Sequence, residues 1–398
     1  MAAGVAALVL IGGLSASTRY QPSAPVLRGQ VRQVDVTGAP DPAALGAADT
    51  RFGLALLARL GDGNVVFSPS SIGTGLGMAY LGARRDTATA MAKTMCLPTT
   101  GDALVAGLHS RTTTLSTVPG MRVSDTVWTD PTVHTRQSYL DNVATAYDSG
   151  VRQVPLLTDP SGSADAINGA ISNDTNGMIP RIVTPDQLSG TGWVLTDATY
   201  LKAPWANPFD PNDTAPGAFE TPHGTVTAKY LNETARLGMS RAGGWTAVSL
   251  PYKGNRLEMV ALMGPDTDPS AATLHALLTS LAPEQVTLSL PKVDLRYQQD
   301  LSGPLAAMGM GIAFSDRADL TGLSPEAGSI AFVQHSAALK VGERGTEAAA
   351  ATAVGIEASA ASPTRYEIRF DHPYLMLIRD RRTGEPLFLS RIVDPTEG

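Results

Sequence analysis

The stretch GERGTEAAAATAVGIEASAASPTR, from Gly342 to Arg365, decides the fold of this chain. Propensity alone predicts a helix over Ala348–Ala353, because alanine is the best helix former. Alternation predicts a strand instead, since every second residue from Thr346 to Ile356 is neutral or apolar and both carboxylates lie on the opposite face. The flanking Gly345 and the small residues after Glu357 are typical of a loop. Taken alone, the stretch is equally compatible with an alanine-rich surface loop or linker.

Strands are predicted on both sides of this stretch. Upstream, Ala331–Val341 indicates a strand that runs into the glycine-containing turn. Downstream, strands are predicted at Tyr366–Phe370, Tyr374–Arg379 and Leu387–Val393, with the turn Asp380–Pro386 between the last two. Because sheet strands hold both ends of the small-residue stretch, a strand-like segment is favoured over a free linker.

Composition sets broad limits on function. The 398 residues are 43% hydrophobic and 17% charged with a net charge of −7, which is ordinary for a soluble protein with a large core. Length alone suggests two or three domains. No basic patch of nucleic-acid-binding quality is present, since the densest cluster, Arg379–Arg382, is interrupted by an acid and lies in a predicted turn. The six histidines show no metal-ligand spacing, so neither a metal nor a cofactor is expected.

The single cysteine, Cys96, cannot form an intrachain disulfide. We assign it to the predicted helix Asp86–Met95 and expect a buried, inert thiol rather than a catalytic one.

The N-terminal region is predicted to lie outside the folded unit. Met1–Ser17 is an apolar run of signal-peptide length, although it lacks the usual basic residues before the core, and an N-terminal anchor is the alternative. Thr18–Ala48 has weak periodicity and is predicted to be a disordered leader. The folded unit is expected to begin at a helix over Asp49–Leu60. The signal-like run predicts export from the cell, and no other membrane-spanning candidate is present.

A glycine-containing helix is predicted after Ser68 and Pro69. Ser70 or Ser71 is expected to cap it. The glycines at every second position from Gly73 to Gly77 each cost about 1 kcal/mol relative to alanine in a helix, which predicts that another backbone approaches closely. They do not satisfy GxGxxG, so a dinucleotide loop is excluded.

Further elements follow from periodicity. Helices are predicted at Gly101–Ser116, Thr135–Tyr147 and Ser163–Asn176. Strands are predicted at Met121–Thr129 and Trp193–Leu201. The segment Lys202–Phe209 is predicted to be an exposed turn.

The combination of GERGTEAAAATA (Gly342–Ala353) with FDHPYLMLIRDRRTGEPLFLSRIVDP (Phe370–Pro395) resembles the serpin family, and in particular the hinge and C-terminal strands of an inhibitory member. Further similar motifs place the resemblance over Asp49–Pro395. It implies a single-domain α+β serpin fold over 49–398. That fold has a large, mostly antiparallel central sheet, further sheets, eight or nine helices and an exposed reactive-centre loop near 343–365.

The resemblance also implies three groups of site residues, which we name after the family's regions. The hinge is Glu343, Gly345, Thr346, Glu347, Ala348, Ala349, Ala350 and Ala351. The breach, at the top of the central sheet, is Lys292, Glu343 and Trp205, with a salt bridge expected between the first two. The shutter, a polar cluster beneath the sheet, is Ser68, Ser71, Asp197 and His335.

The shutter departs from the family at one position. Asp197 stands where the family usually carries asparagine, which predicts a charge-assisted bond to His335 and a native state that weakens when His335 deprotonates. A catalytic triad of Ser68, Asp197 and His335 is the alternative, but all three lie in predicted buried structure and GxSxG is absent. We therefore expect no enzyme activity.

Family spacing from the hinge places the reactive bond between Ser359 and Ala360, with Glu357, Ala358 and Ala361 as alternatives. All of these except Glu357 are small, which favours an elastase- or subtilisin-like target over a trypsin-like one. The nearest basic residue, Arg365, is too close to the following strand.

The implied function is suicide inhibition of a serine protease. The protease would cleave the loop, be trapped as a covalent acyl-enzyme and be carried along as the loop inserts into the sheet. The expected protein is an extracellular monomer whose partner is that protease, with no nucleic-acid or membrane partner. The alternative is a non-inhibitory serpin that acts as a carrier, chaperone or storage protein.

Overall fold

The computed structural model describes residues 24–33, 40–346 and 365–397. Helices and two sheets alternate along the chain in an α+β arrangement. The helices are α1 Pro42–Leu57, α2 Pro69–Gly82, α3 Arg85–Thr94, α4 Gly101–Leu115, α5 Gln137–Tyr147, α6 Pro160–Asp174, α7 Pro185–Leu188, α8 Ala271–Thr279 and α9 Ser302–Leu305. Short 3₁₀ or π turns occupy Pro211–Asp213, Ala306–Met310 and Gly311–Phe314. Within these ranges, no helix is both long enough and apolar enough to cross a membrane.

The strands, numbered along the chain, fall into two sheets. They are β1 Val26–Leu27, β2 Val65–Phe67, β3 Met121–Thr129, β4 Val151–Gln153, β5 Trp193–Leu201, β6 Ala203–Pro204, β7 Ala215–Thr221, β8 Gly224–Ala242, β9 Trp245–Pro251, β10 Leu257–Met263, β11 Ala282–Pro291, β12 Val293–Asp300, β13 Val333–Gly342, β14 Gly345–Thr346, β15 Tyr366–Arg369, β16 Tyr374–Asp380 and β17 Pro386–Ile392.

Sheet A has the strand order β1-β4-β3-β5-β13-β14-β6, with β12 also paired to β13. Most of its pairs are antiparallel, but the short pair of β3 with β4 is parallel, and so are β5 and β13 at its centre, with Leu195–Tyr200 opposite Val333–Ala338. Parallel pairing is slightly less stable per residue than antiparallel pairing. The pairing of β5 with β13 is therefore slightly weaker per residue than the antiparallel pairing on the outer side of each strand.

Sheet B has the order β15-β11-β8-β9-β10-β16-β17-β2, with β7 paired to β8. Helix α2 lies between the sheets, against β3 and β5 on one side and β17 on the other. Its buried residues Ile72 and Leu76 share one core with Leu195 of sheet A and Leu389 of sheet B. This position explains why the helix is almost entirely apolar or small.

The small residues of α2 make room for side chains. A Cβ atom on Gly73, Gly75 or Gly77 would lie 2.8 Å from Asp49 Oδ1, 3.4 Å from Leu195 Cδ2 and 2.2 Å from Tyr147 Oη, respectively. The predicted close approach is present, but the prediction that a backbone makes it was wrong.

Several strands match the prediction to the residue. Met121–Thr129 and Trp193–Leu201 have the predicted bounds, and β13 and β15 to β17 lie within two residues of theirs. Alternating or continuously apolar runs bounded by turn residues carry this information.

The predicted start of the folded unit was too late. Helix α1 begins at Pro42, seven residues before Asp49, because the side chain of Asp41 caps it by accepting a hydrogen bond from Ala43 N (2.9 Å). Part of the predicted leader also contacts the body, since β1 pairs with β4 at the edge of sheet A.

Three smaller predictions also need correction. Ser68, rather than Ser70 or Ser71, caps α2 by accepting from Ser71 N (3.1 Å). Cys96 lies just beyond α3 and is only partly buried. The segment Lys202–Phe209 is not an exposed turn, because Trp205 and Phe209 are each 3% exposed.

Candidate functional site

The described part of the hinge enters sheet A as strand β14. Gly345 and Thr346 pair antiparallel with Gly342 and Val341 of β13 on one side, and with the short strand β6 on the other. Direct pairing of β5 with β13 ends just below, at Tyr200 and Ala338. The sheet thus forks at its upper end, and β14 occupies the fork.

Thr346 is anchored by its side chain. It is fully buried, and its hydroxyl lies 2.6 Å from Tyr252 Oη. The Tyr252 ring stacks on Trp205, with centroids 4.4 Å apart. Burial raises the pKa of Tyr252, so the phenol keeps its proton for this hydrogen bond. Thr346, the last described residue of the hinge, is therefore held in place by burial and by its hydrogen bond to Tyr252.

The breach residues meet around the turn that precedes β14. Trp205 donates from Nε1 to Gly342 O (2.9 Å) and from its backbone N–H to Arg344 O (3.0 Å). Lys292 Nζ donates to both oxygens of Glu343, at 2.7 and 2.9 Å. The structure thus brings all three breach residues together.

The charge on Glu343 is held by these contacts. Partial burial disfavours the charged form, but hydrogen bonds from Lys292 and Thr214 (2.9 Å) outweigh it and keep the pKa of Glu343 below its usual value. The carboxylate is therefore ionised at neutral pH and fixes the turn ahead of β14.

The shutter residues meet beneath the centre of sheet A. Asp197 and His335 are register partners on β5 and β13, and Nδ1 of His335 bonds Oδ1 of Asp197. The backbone N–H of Ser68 points at His335 Nε2 (3.4 Å). In this arrangement Nε2 of His335 faces the amide of Ser68 and Nδ1 faces the carboxyl group of Asp197. The weakening of the native state on His335 deprotonation stays a prediction.

Ser71 does not contact His335. Its hydroxyl donates to Asp125 Oδ1 on β3 (2.8 Å). Asp125 is a residue that the sequence interpretation missed. Its only signal is a carboxylate within a strand that is otherwise mostly apolar or small, and its partners become apparent only from strand register.

The geometry does not support a catalytic triad. The Ser68 hydroxyl accepts from Ser71 N and lies 3.2 Å from Ser70 Oγ, so it is the amide of Ser68 and not its hydroxyl that meets His335. Ser68 and His335 are both fully buried. A nucleophile must contact its base and be open to substrate.

Other predicted site residues lie outside the described residues. These are Glu347, Ala348, Ala349, Ala350, Ala351, Glu357, Ala358, Ser359, Ala360 and Ala361. Across the parts of the chain that are described, no three histidine, cysteine, aspartate or glutamate side chains are grouped as a metal would require.

Comparison with known proteins identifies the family. The family model described as Serpin (serine protease inhibitor) matches residues 47–395. This chain belongs to the serpin family. The match covers sheet B, all of sheet A except β1, the breach, the shutter and the hinge, so the serpin fold and the general role of protease inhibition apply to it.

Individual serpins are similar over nearly the whole chain. A leukocyte elastase inhibitor of Sus scrofa is 30% identical over 381 residues, which cover 88% of this chain and 99% of that protein. An uncharacterized serpin-like protein of Thermococcus kodakarensis is 34% identical over 352 residues, 85% of this chain and 82% of the relative.

Solved serpin structures share the fold. Tengpin, a thermophilic serpin, superposes in its native state with a TM-score of 0.80 at 21% identity, covering 92% of this chain and 97% of that one. Serpin-12 of Manduca sexta gives 0.75 at 23% identity, covering 89% and 99%.

Proposed function

We propose that this serpin inhibits a serine protease by suicide cleavage and loop insertion. The protease would cut the chain between Ser359 and Ala360 and remain bound as an acyl-enzyme. The freed segment from Gly345 to Ser359 would enter sheet A between β5 and β13. Catalytic turnover of a substrate is not part of this function.

One observation carries the proposal: β14 already lies in the fork between β13 and β6. It runs antiparallel to both neighbours, which is the direction that an inserted strand would follow. Continuing along this line, the residues after Thr346 would separate β5 from β13 and replace one parallel pair by two antiparallel ones. The fork therefore supports entry at this position.

The length and side chains of the segment suit that path. Fifteen residues from Gly345 to Ser359 extend over about 50 Å at about 3.3 Å each, enough to cross a domain of this size. The inward positions that follow Thr346 include Ala348 and Ala350, which add neither charge nor bulk. No proline interrupts the segment before Pro363.

Small residues around Ser359 support a protease with a small or apolar primary pocket, of the elastase or subtilisin type. The similarity to proteins named leukocyte elastase inhibitor favours the same class. We also propose that the inhibitor acts outside the cell and as a monomer. Size-exclusion chromatography tests the monomeric state, and recovery of the protein from the culture medium rather than from the cells tests export.

Incubation with elastase and with subtilisin tests the mechanism. We expect a complex that survives denaturing electrophoresis, a cut after Ser359 by mass spectrometry, and a cleaved form that melts above the intact one. Thr346→Arg should turn the protein into a substrate, because a guanidinium cannot be buried beside Tyr252. Thr89→Arg, the same change on the exposed side of α3, is the control.

Cleavage without a stable complex and without a gain in thermal stability would favour the non-inhibitory alternative, a carrier, chaperone or storage serpin. A cut after Arg365 would overturn the assigned reactive bond and the preference for a small pocket.

A further inference from the structure

Three residues form a row across the centre of sheet A. Asp125 of β3 lies directly opposite Asp197 of β5, and Asp197 lies directly opposite His335 of β13. The row crosses the parallel seam between β5 and β13. Any strand that enters this seam must separate Asp197 from His335 while Asp125 and Asp197 stay together on paired strands.

One oxygen of each carboxyl group is already bonded. Asp125 Oδ1 accepts from Ser71 Oγ (2.8 Å), and Asp197 Oδ1 accepts from His335 Nδ1. The two Oδ2 atoms are buried, and no side-chain or backbone donor in the described part of the chain reaches either of them. If both groups were ionised, two buried carboxylates would lie on paired strands with no donor to either Oδ2 atom, which is strongly unfavourable.

We propose that Asp125 is a positioning residue whose carboxyl group keeps a proton and donates it to Asp197, thereby holding Asp197 toward His335 across the seam. A single proton satisfies both orphaned oxygens. It completes a continuous hydrogen-bonded chain from Ser71 on α2, through Asp125 and Asp197, to His335. The role rests on the proposed function, since loop insertion is the event that opens the seam.

The surroundings of the pair favour this proton. Burial of the carboxyl group, the charge of Asp197 and the hydrogen bond to Asp197 together hold the pKa of Asp125 well above its usual value. The bond from Ser71 and the charge of Arg111 on α4 oppose the shift without reversing it. Arg111 is itself occupied by Asp49, 2.6 Å away.

Few other titratable groups face the row. Tyr147 on α5 is buried nearby, and burial raises the pKa of its phenol, so it adds no charge at neutral pH. On the far side of His335, the register partner on β12 is Gln299, which does not titrate. Neither Tyr147 nor Gln299 therefore adds a charge that would compete with the proton shared by Asp125 and Asp197.

The proton links sheet opening to pH. Opening the seam admits water beside Asp197, so the open sheet holds the proton less tightly than the closed one. Because the closed state binds more protons, raising the pH favours opening, by up to about tenfold per pH unit while the proton is being lost. Asp125→Asn keeps the donor to Asp197 and the acceptor for Ser71 but removes the titration.

Infrared difference spectra of the intact protein at pH 7 test the proton itself. We expect the wild-type minus Asp125→Asn spectrum to contain the carbonyl band of a protonated carboxylic acid. The matched control, wild type minus Asp174→Asn, should lack it, because Asp174 is a partly exposed acid on α6 that bonds Ser124 next to the row. If Asp125→Asn does not fold, titration of ¹³C-labelled aspartate in the wild type should show a carboxyl still protonated at pH 7.

Annealing of a synthetic peptide with the sequence of Thr346–Ile356 tests the role in opening. The annealing rate should rise with pH in the wild type and in Asp174→Asn, be flat in Asp125→Asn, and be faster at every pH in Asp125→Ala. Absence of the protonated band, or a pH slope retained in Asp125→Asn, overturns the inference. If the peptide anneals to no variant at any pH, both the positioning role and loop insertion fail. A difference band present in that case shows that the shared proton exists without this role.

Discussion

The hinge glycine offers the sharpest test of how β14 is held. Gly345 has φ of +138°, a conformation that L side chains rarely adopt. A Cβ atom at this position would lie 2.2 Å from the carbonyl oxygen of Ala203 and 2.7 Å from Pro204 Cα. Both contacts are with backbone and cannot be relieved by a rotamer change. Gly345→Ala must therefore push β14 away from β6.

The expected cost follows from two contributions. The backbone conformation alone costs about 1–3 kcal/mol for a residue other than glycine. Moving β14 also weakens its pairing with β6 and the buried bond between Thr346 and Tyr252, at about 1 kcal/mol for each hydrogen bond lost. We expect Gly345→Ala to destabilise the intact protein by about 2–5 kcal/mol.

Gly342 supplies a matched control in the same hairpin. It has no positive φ, and a Cβ atom there would come no closer than 4.0 Å to Lys292 Cε. Gly342→Ala should therefore change stability by about 0.5 kcal/mol or less.

Thermal and denaturant unfolding of the uncleaved proteins measures the difference. Gly345→Ala should lower both midpoints clearly and Gly342→Ala should leave them in place. Equal midpoints for the two variants would refute the reasoning, because they would mean that β14 is not held against β6 as described.

Three further predictions concern buried or paired charges. Glu343→Gln should cost about 1 kcal/mol at pH 7. Since the pKa of Glu343 is lowered on folding, this difference should shrink in denaturant titrations as pH falls through and below the ordinary glutamate value of 4.5, and a difference that does not shrink with falling pH would contradict it. Burial raises the pKa of Glu233 to about 7, so ionisation of this carboxyl group weakens the fold as pH rises from about 4.5 to 7. The free energy of unfolding of Glu233→Gln should therefore exceed that of the wild type by about 2–3 kcal/mol at pH 8 and equal it at pH 4. Equal stability of the two proteins at pH 8 would refute this. Arg111 is 3% exposed and pairs with Asp49 at 2.6 Å. Arg111→Met should lower the free energy of unfolding by about 3–5 kcal/mol, measured by calorimetry, because it leaves the buried carboxyl groups of Asp49 and Glu385 without a cation. A loss under 1 kcal/mol would mean that these carboxyl groups do not need the guanidinium.

Local patterns in the sequence predicted the strands of the sheets better than the ends of the helices. Trp193–Leu201 is buried along its whole length and is bounded by Gly192 and the prolines after it, so neighbouring residues in the sequence are enough to predict both ends of the strand. Helix α1 was placed too late because its first turn is rich in alanine and glycine and shows weak periodicity, although Asp41-Pro42 is a recognisable start signal. Cap chemistry would have corrected this assignment.

Burial of Trp205 could not be inferred from its neighbours in sequence. The prolines and asparagine around it are typical of an exposed turn. The indole is buried where its ring stacks on Tyr252 and its N–H donates to the carbonyl of Gly342 at the end of β13, more than 130 residues later. The same limit applies to Asp125, since its pairing with Asp197 depends on the register of β3 against β5.

The proposed mechanism requires a sheet that is stable and yet able to open, and the strand pairing of sheet A is consistent with both. Strands β5 and β13 are each held firmly on their outer sides, by antiparallel pairing with β3 and β12. Between them lies a parallel pair of six residues, whose row of polar side chains includes Asp197 and His335. Breaking that pair loses the least favourable pairing in the centre, whereas an inserted strand would give both β5 and β13 an antiparallel partner. On the proposed mechanism, the bond between Asp197 and His335 across the seam would limit how fast β5 and β13 separate. The gain in antiparallel pairing would make the inserted state the more stable one.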